Sequence, residues 1–501
     1  MTPSKYQQAI FDWIQNGSGH GVVEAKAGSG KTTTAVEAIK LIPRNKRCAF
    51  VAFNKSIADE LRARVPGHCS ALTLNGLGHR AWSSHVGRVT LASDKTRRIM
   101  NEVLTHAEQR AFGGTVRKLV DLAKAHGLVP DRVTGAKGLV PDSVEAWEAI
   151  IKRYDIELES DTATPTSSMH AGVISLARRV LAISCERLTV IDFNDQLYFP
   201  VIFGAPVAAY DWLFVDEAQD LNPIQHALVE RAIAPGGRIV AIGDSHQSIY
   251  AFRGADLESM QRFRDRLAAT SLSLSISYRC PQSHIKLAQT IVPDIEAAPM
   301  APEGEIARMG TKWKADDFTN EDLVICRAGA PLVQLAYKLL AQRVAVRIMG
   351  RDLGQGLVTL IKRLNATDMR DLQDALKAWH DREVSRILAR DPEASTDTVD
   401  DKRDCIETFM SLFPRKTIEG LCREIENLYT DNVKGILTLA TIHKAKGLEA
   451  NRVWILNSDI GEALMKKQKQ AWQVEQEKNL IYVSTTRSKS FLGFIDIERK
   501  K

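Results

Sequence analysis

The chain has 501 residues, more than one ordinary core and enough for roughly three or four compact units, and its 44% hydrophobic and 26% charged residues exclude a disordered polypeptide. With 67 basic against 61 acidic side chains the net charge is +6, which permits nucleic acid binding through a local groove without demanding it. The seven cysteines are scattered singly, which excludes a zinc knuckle and reads as reduced thiols; no apolar run is long enough to span a bilayer, and no basic flank with an apolar segment opens the chain, so a soluble intracellular protein is expected.

Apolar side chains at helical spacing (Ile10, Phe11, Ile14) predict a helix over Tyr6–Ile14, ended by Gly17-Ser18-Gly19. Gln7 and Gln8 lie at its start, where an amide either pairs with an adenine edge or is simply solvated. The run Gly21-Val22-Val23 then leads into Ala25–Thr32, read Ala-Lys-Ala-Gly-Ser-Gly-Lys-Thr. This is a phosphate cradle: Gly28 and Gly30 let the backbone of Ala27–Gly30 aim its amides inward, and the following helix presents its positive end. Lys31 would reach the outer phosphates and Thr32 would offer a hydroxyl to nucleotide-bound magnesium. Ala25 stands where the strict pattern has glycine.

Arg47–Phe53 reads as an apolar strand, and Asn54-Lys55-Ser56 starts a helix with a stripe through Ile57, Leu61 and Val65. Thr73-Leu74-Asn75-Gly76-Leu77-Gly78-His79-Arg80 is expected to be a loop at the sheet edge where open α/β sheets bind ligands. From Leu91 to Arg187 charged helices follow, such as Thr115–Ala125 and Val144–Tyr154, around a polar loop at Glu157–Ser168; this reads as an inserted helical domain. Sheet character returns at Leu188–Ile191, ahead of Asp192-Phe193-Asn194-Asp195.

Trp212–Val215 is a buried strand ending in Asp216-Glu217, and paired carboxylates there are costly unless a cation or a proton-transfer task keeps them. Asp216 would hold magnesium and Glu217 would deprotonate the attacking water. Helix capping is the alternative, and it suits Asp220 better than the pair. The strand Arg238–Ile242 ends in a loop, Gly243–Arg253, where Gln247 could sense the terminal phosphate. Tyr250, Phe252 and Arg253 offer stacking faces and a guanidinium to unpaired bases, or core packing for the aromatics.

The order of these segments resembles a superfamily 1 helicase of the UvrD/Rep/PcrA type. Ser277-Tyr278-Arg279 is similar to that family's fourth motif, Leu437–Glu449 to its fifth, and Glu477–Arg487 to its sixth. The resemblance implies an α/β fold of two RecA-like parallel-sheet domains with helical insertions, using ATP and magnesium. It implies adenine stacking by Tyr278, γ-phosphate contact by Arg279, ribose contact by Glu449, and an arginine finger at Arg487. Phe53, Asn54, Thr73, His79, Tyr250, Phe252, Arg253, Thr441 and His443 fall on the implied single-stranded DNA track. Travel in the 3′-to-5′ direction, action at single-strand/duplex junctions, and a cytoplasmic setting in a bacterial or phage-infected cell are also implied.

The pattern divides the chain at 1–88, 89–187, 188–275, 276–365, 366–433 and 434–501, the second and fifth segments being helical insertions. Several positions depart from the family. Thr33, counted with the nucleotide residues, replaces an arginine near the base; Asn479 stands where arginine is common; the motif around Phe53-Asn54 is one residue short. The later insertion has only about seventy residues, with helices over Met369–Ala389 and Thr398–Phe409, where larger relatives carry a duplex-contacting domain. Translocation is therefore the firmer expectation than unaided unwinding. The rival expectation is a DNA-gated ATPase subunit that controls a partner nuclease or a defence or replication complex; a small-molecule P-loop kinase would need an acceptor motif that the chain lacks.

Overall fold

A computed structural model describes residues 2–52, 54–154, 156, 167–249, 258–390, 396–412, 417–431, 435–468 and 471–497. The chain divides into two compact units, one holding residues 1–26 and 30–275, the other 27–29 and 276–501.

The first unit contains, in chain order, β1 (Gly21–Ala25), β2 (Cys48–Ala52), β3 (Cys69–Thr73), β4 (Thr90–Leu91), β5 (Val190–Ile191), β6 (Tyr210–Val215), β7 (Ile233–Gly243) and β8 (Thr270–Leu274). Six of them form one parallel sheet, ordered β3-β2-β6-β7-β1-β8. Near-continuous apolar runs such as Cys48-Ala49-Phe50-Val51-Ala52, buried at every position, are what a parallel strand covered on both faces requires. One face, with Val23, Phe50, Phe214 and Ile242, packs under Ile10, Ile14, Val36 and Leu61. The other, with Val22, Val51, Leu213 and Ile239, shares a core with Leu119, Val120, Trp147, Val173 and Leu181 from helices His106–His126, Val144–Arg153 and Ser167–Glu186. The inserted helices thus build on the sheet through one continuous core.

Two expectations change. The strand expected over Leu188–Ile191 shrinks to Val190–Ile191, which among the described residues pairs only with Thr90–Leu91. The expected loop Thr73–Arg80 is instead the start of helix Leu74–Val86, with Thr73 Oγ1 accepting the Gly76 N–H at 3.0 Å. Gly78 misleads because it reads as a turn residue, whereas a Cβ there would lie 2.0 Å from the Gln196 carbonyl oxygen. It is a close-approach glycine inside a helix.

Arg238 closes the far end of this sheet. Its guanidinium lies 4.1 Å from the Trp13 ring and 4.2 Å from the Trp212 ring, and it donates to the carbonyls of Gly19, Ile14 and Trp13. Arg238→Ala should lose these stacking and capping contacts together. We expect about 2 kcal/mol of lost stability, read as a lower unfolding midpoint, with Arg238→Lys recovering less than half because an ammonium cannot stack on two rings.

The second unit holds β9 (Ile276–Ser277), β10 (Glu296–Ala297), β11 (Glu305–Gly310), β12 (Leu323–Cys326), β13 (Val346–Ile348), β14 (Leu437–Thr441), β15 (Ala450–Leu456) and β16 (Ser488–Ile495). Six strands form a second parallel sheet, ordered β11-β16-β15-β12-β14-β13, and β9 pairs with β10. Helices Met369–Arg390, Asp397–Leu412 and Ile418–Leu428 bury Leu372, Leu376, Trp379, Ile406, Phe409 and Ile425 against the core that contains Val324, Leu437 and Leu439. Two of their charged residues, Glu383 and Arg386, are buried and pair with each other at 2.8 Å. All seven cysteines are buried and free.

Candidate functional site

Because every strand of the first sheet runs the same way, the carboxyl ends of β6, β7 and β1 come out side by side. Open α/β sheets hold ligands at that edge. From β1 the chain enters the cradle, with Gly30 in the left-handed region (φ +77°) as N-cap of helix Lys31–Lys40 and no side chain capping that helix. Its first amides therefore face outward as an anion site. From β6 come Asp216 and Glu217, and from β7 comes the turn bearing Asp244 and Gln247.

Lys31 Nζ lies 3.0 Å from Glu217 Oε1. Burial disfavours the Lys31 charge, but Glu217, Asp216 and Asp244 outweigh it and hold the ammonium above its ordinary pKa. Burial pushes the Asp216 carboxyl up to about 6, helped by the Glu217 charge and opposed by Lys31. Burial also raises Asp244, against the pull of Lys31. Two buried carboxyls thus share the Lys31 ammonium, and Lys26 also acts on Asp244. Glu217 sits at φ +49°, a left-handed conformation strained for a residue with a Cβ, and Asp216 Oδ1 accepts its N–H at 3.0 Å.

Gln247 is buried and donates through Nε2 to Asp244 Oδ2 at 2.6 Å. Gln7 is also buried, so the solvated alternative for it falls. Its Oε1 accepts from the Ser4 N–H in a capping box, and its Nε2 donates to Thr34 Oγ1 at 3.0 Å. Thr33 is exposed, and its hydroxyl accepts from Arg64.

Within the second unit, Ala27–Ser29 lie against the Ser277-Tyr278-Arg279 turn. The Ala27 N–H donates to Tyr482 Oη at 2.9 Å, and the Tyr278 N–H donates to the Gly28 carbonyl at 2.8 Å. A Cβ on Gly28, at φ +72°, would come within 2.6 Å of Arg279 Cβ. Only glycine fits there. Ser29 Oγ is buried with no hydrogen-bond partner among the described residues, as a hydroxyl meant for a ligand would be. The Tyr278 ring is 52% exposed and free to stack.

Arg279 Nε donates to Glu449 Oε2 at 2.7 Å and its Nη1 to the Thr486 carbonyl at 3.2 Å, while Lys489 Nζ lies 2.5 Å from Glu449 Oε1. Burial would raise the Glu449 carboxyl, but Lys489 and Arg279 outweigh it and hold it below its ordinary value. Arg487 is 1% exposed; it donates to the carbonyls of Val483 and Leu448 and to Thr486 Oγ1.

Of the residues expected on the DNA track, Phe53, Tyr250, Phe252 and Arg253 lie outside the described residues. Asn54 lies beyond β2 and Thr73 ends the adjacent β3, and each caps the helix after it, Asn54 Oδ1 accepting from the Ile57 N–H at 2.9 Å. His79 Nδ1 lies 3.3 Å from Gln196 Nε2. Asn75 Nδ2 reaches both Gln196 Oε1 and the Phe193 carbonyl, at 3.0 and 2.8 Å, and the Phe193 side chain is 56% exposed. Sequence reading missed Phe193 because its partners lie more than a hundred positions away; an aromatic set among Asp and Asn was the available signal. In the second unit Thr441 caps helix Ile442–Ala445, which also carries His443.

Residues 6–268 match the UvrD/REP helicase N-terminal domain and residues 397–499 the UvrD-like helicase C-terminal domain. The F-box DNA helicase protein 1 of Schizosaccharomyces pombe is 24% identical over 495 residues, covering 94% of this chain and 55% of the relative. DNA helicase II of Escherichia coli is 25% identical over 323 residues, 60% of this chain and 41% of the relative, and the ATP-dependent DNA helicase Rep of Escherichia coli is 24% identical over 300 residues, 57% and 42%. The chain thus spans about half the length of these relatives or less. Among the described residues no helix is long and apolar enough to cross a membrane. With its first matched segment alone taking in more than half the chain, this polypeptide belongs to the UvrD/REP helicase family.

Proposed function

We propose that the chain is an ATP-driven translocase on single-stranded DNA and a DNA helicase, moving 3′ to 5′. The observation that carries this reading is the Lys31–Glu217 pair, 3.0 Å apart beside the buried Asp216, brought together from the ends of β1 and β6, which flank β7 in one parallel sheet. A phosphate-binding ammonium, a hard-oxygen ligand and a base candidate lie together at the edge where such sheets bind ligands.

In this reading Ala27–Thr32 cradle the phosphates, Gln7 and Tyr278 face the base, and Glu449 faces the ribose. Thr32 and Asp216 fit magnesium: one hydroxyl and one carboxylate suit an ion that takes its other ligands from phosphate and water. When bound, the ion neutralises charge on the phosphate oxygens. Glu217 accepts the proton of the attacking water, Gln247 reads the terminal phosphate, and Arg279 and Arg487 stabilise charge on the transferring group. Asn54, Thr73, His79, Thr441 and His443, with the exposed ring of Phe193, contact the strand, so binding is nearly indifferent to sequence, and the guanidinium expected at Arg253 makes it salt-sensitive.

The test is ATP hydrolysis with and without single-stranded DNA, followed by displacement of strands from 3′-tailed and 5′-tailed duplexes. Stimulation by DNA and displacement from the 3′-tailed substrate alone are expected. Hydrolysis indifferent to DNA would overturn the motor reading, and displacement from the 5′ tail would overturn the polarity.

A further inference from the structure

Glu217 stands in a strained left-handed backbone conformation that surrounding contacts must hold, and its carboxylate is held as well. Two side chains take one oxygen each. Lys31 faces Oε1 at 3.0 Å, and Gln219 donates through Nε2 to Oε2 at 2.5 Å. Gln219 is 1% exposed, on the single turn Ala218–Asp220 that follows Glu217. The other end of its amide accepts the Asp244 N–H at 3.0 Å, and the Asp244 carboxylate in turn holds Gln247 Nε2 at 2.6 Å.

The direction of that amide is dictated by its neighbours. Turned over, its NH2 would face a main-chain N–H and its oxygen would face a carboxylate, so both contacts would become repulsive. Room for it comes from Gly243, where a Cβ would lie 2.4 Å from Gln219 Oε1. A continuous chain, Glu217 to Gln219 to Asp244 to Gln247, thus ties the end of β6 to the turn after β7.

We infer that Gln219 is a positioning residue for hydrolysis: it fixes the Glu217 carboxylate relative to the Asp244–Gln247 turn, so that the base is aimed only when that turn is in place. The inference rests on the proposed ATPase reading and deepens it. Lys31 can leave Glu217 for an incoming phosphate, whereas Gln219, satisfied at both ends, keeps its hold.

Two variants separate this from simple packing. Gln219→Met keeps the volume and removes both hydrogen bonds; Gln219→Asn keeps the amide on a stem one carbon shorter, so it cannot reach Glu217 and the Asp244 N–H together, and it adds no charge beside the base. With saturating single-stranded DNA, each should lower kcat by tenfold or more while the KM for ATP and the affinity for a fluorescent ATP analogue change less than twofold. Should Gln219→Met fail to fold, Gln219→Asn decides. A folded variant with wild-type kcat overturns the inference, as does a lower melting temperature with kcat and KM both retained. If the wild-type chain shows no DNA-stimulated hydrolysis, the functional reading itself falls, and this inference with it.

Discussion

Replacing Glu217 with glutamine should stop ATP turnover and leave ATP binding intact. The substitution preserves shape and removes the only property a general base needs, an oxygen able to take a proton; such a base is worth about two to four orders of magnitude in rate. Binding should hold or tighten, because Lys31 loses a carboxylate 3.0 Å away and its ammonium becomes more available to phosphate. Steady-state hydrolysis beside titration with a fluorescent nucleotide measures both quantities. A Glu217→Gln enzyme that hydrolysed ATP at the wild-type rate would falsify the assignment of the base.

Arg487→Ala should cost about three to five orders of magnitude in kcat if its guanidinium serves the transferring phosphate as an arginine finger does. The structure supplies a competing explanation that the experiment must separate. Arg487 is buried and donates to Val483 O, Leu448 O and Thr486 Oγ1, so alanine would also strip partners from buried carbonyls. Arg487→Lys discriminates: it keeps the charge and most of the packing but lacks the planar fork. A finger predicts that the lysine variant melts near wild type yet turns over almost as poorly as the alanine variant. A strut alone predicts a lowered melting temperature for alanine with normal kcat per folded molecule.

Much of this was legible before any fold was known. The cradle could be read because Gly28 and Gly30 need left-handed φ values and Lys31 and Thr32 must follow at once; all of that lies within one turn of chain. Asp216-Glu217 could be read because a buried strand seldom ends in paired charges without a task for them. Gly78 misleads for a related reason: glycine signals either a turn or a close approach, and the distinction lies in Gln196, far along the chain. For Gln7 the sequence leaves adenine and solvent open; burial removes the second, and the amide bonds Ser4 and Thr34.

The residue order alone was enough to specify the class of fold, the phosphate cradle and the carboxylate pair, since each depends on neighbours a few positions apart and on backbone angles that few residue types tolerate. Folding in three dimensions had to settle the rest: that β6, β7 and β1 lie side by side, that Gln219 spans from Glu217 to Asp244, that Lys489 shares Glu449 with Arg279, and that Asn75 presents Phe193. Those contacts join segments separated by tens to hundreds of residues. Their geometry is set by strand order and side-chain packing, which no local pattern encodes.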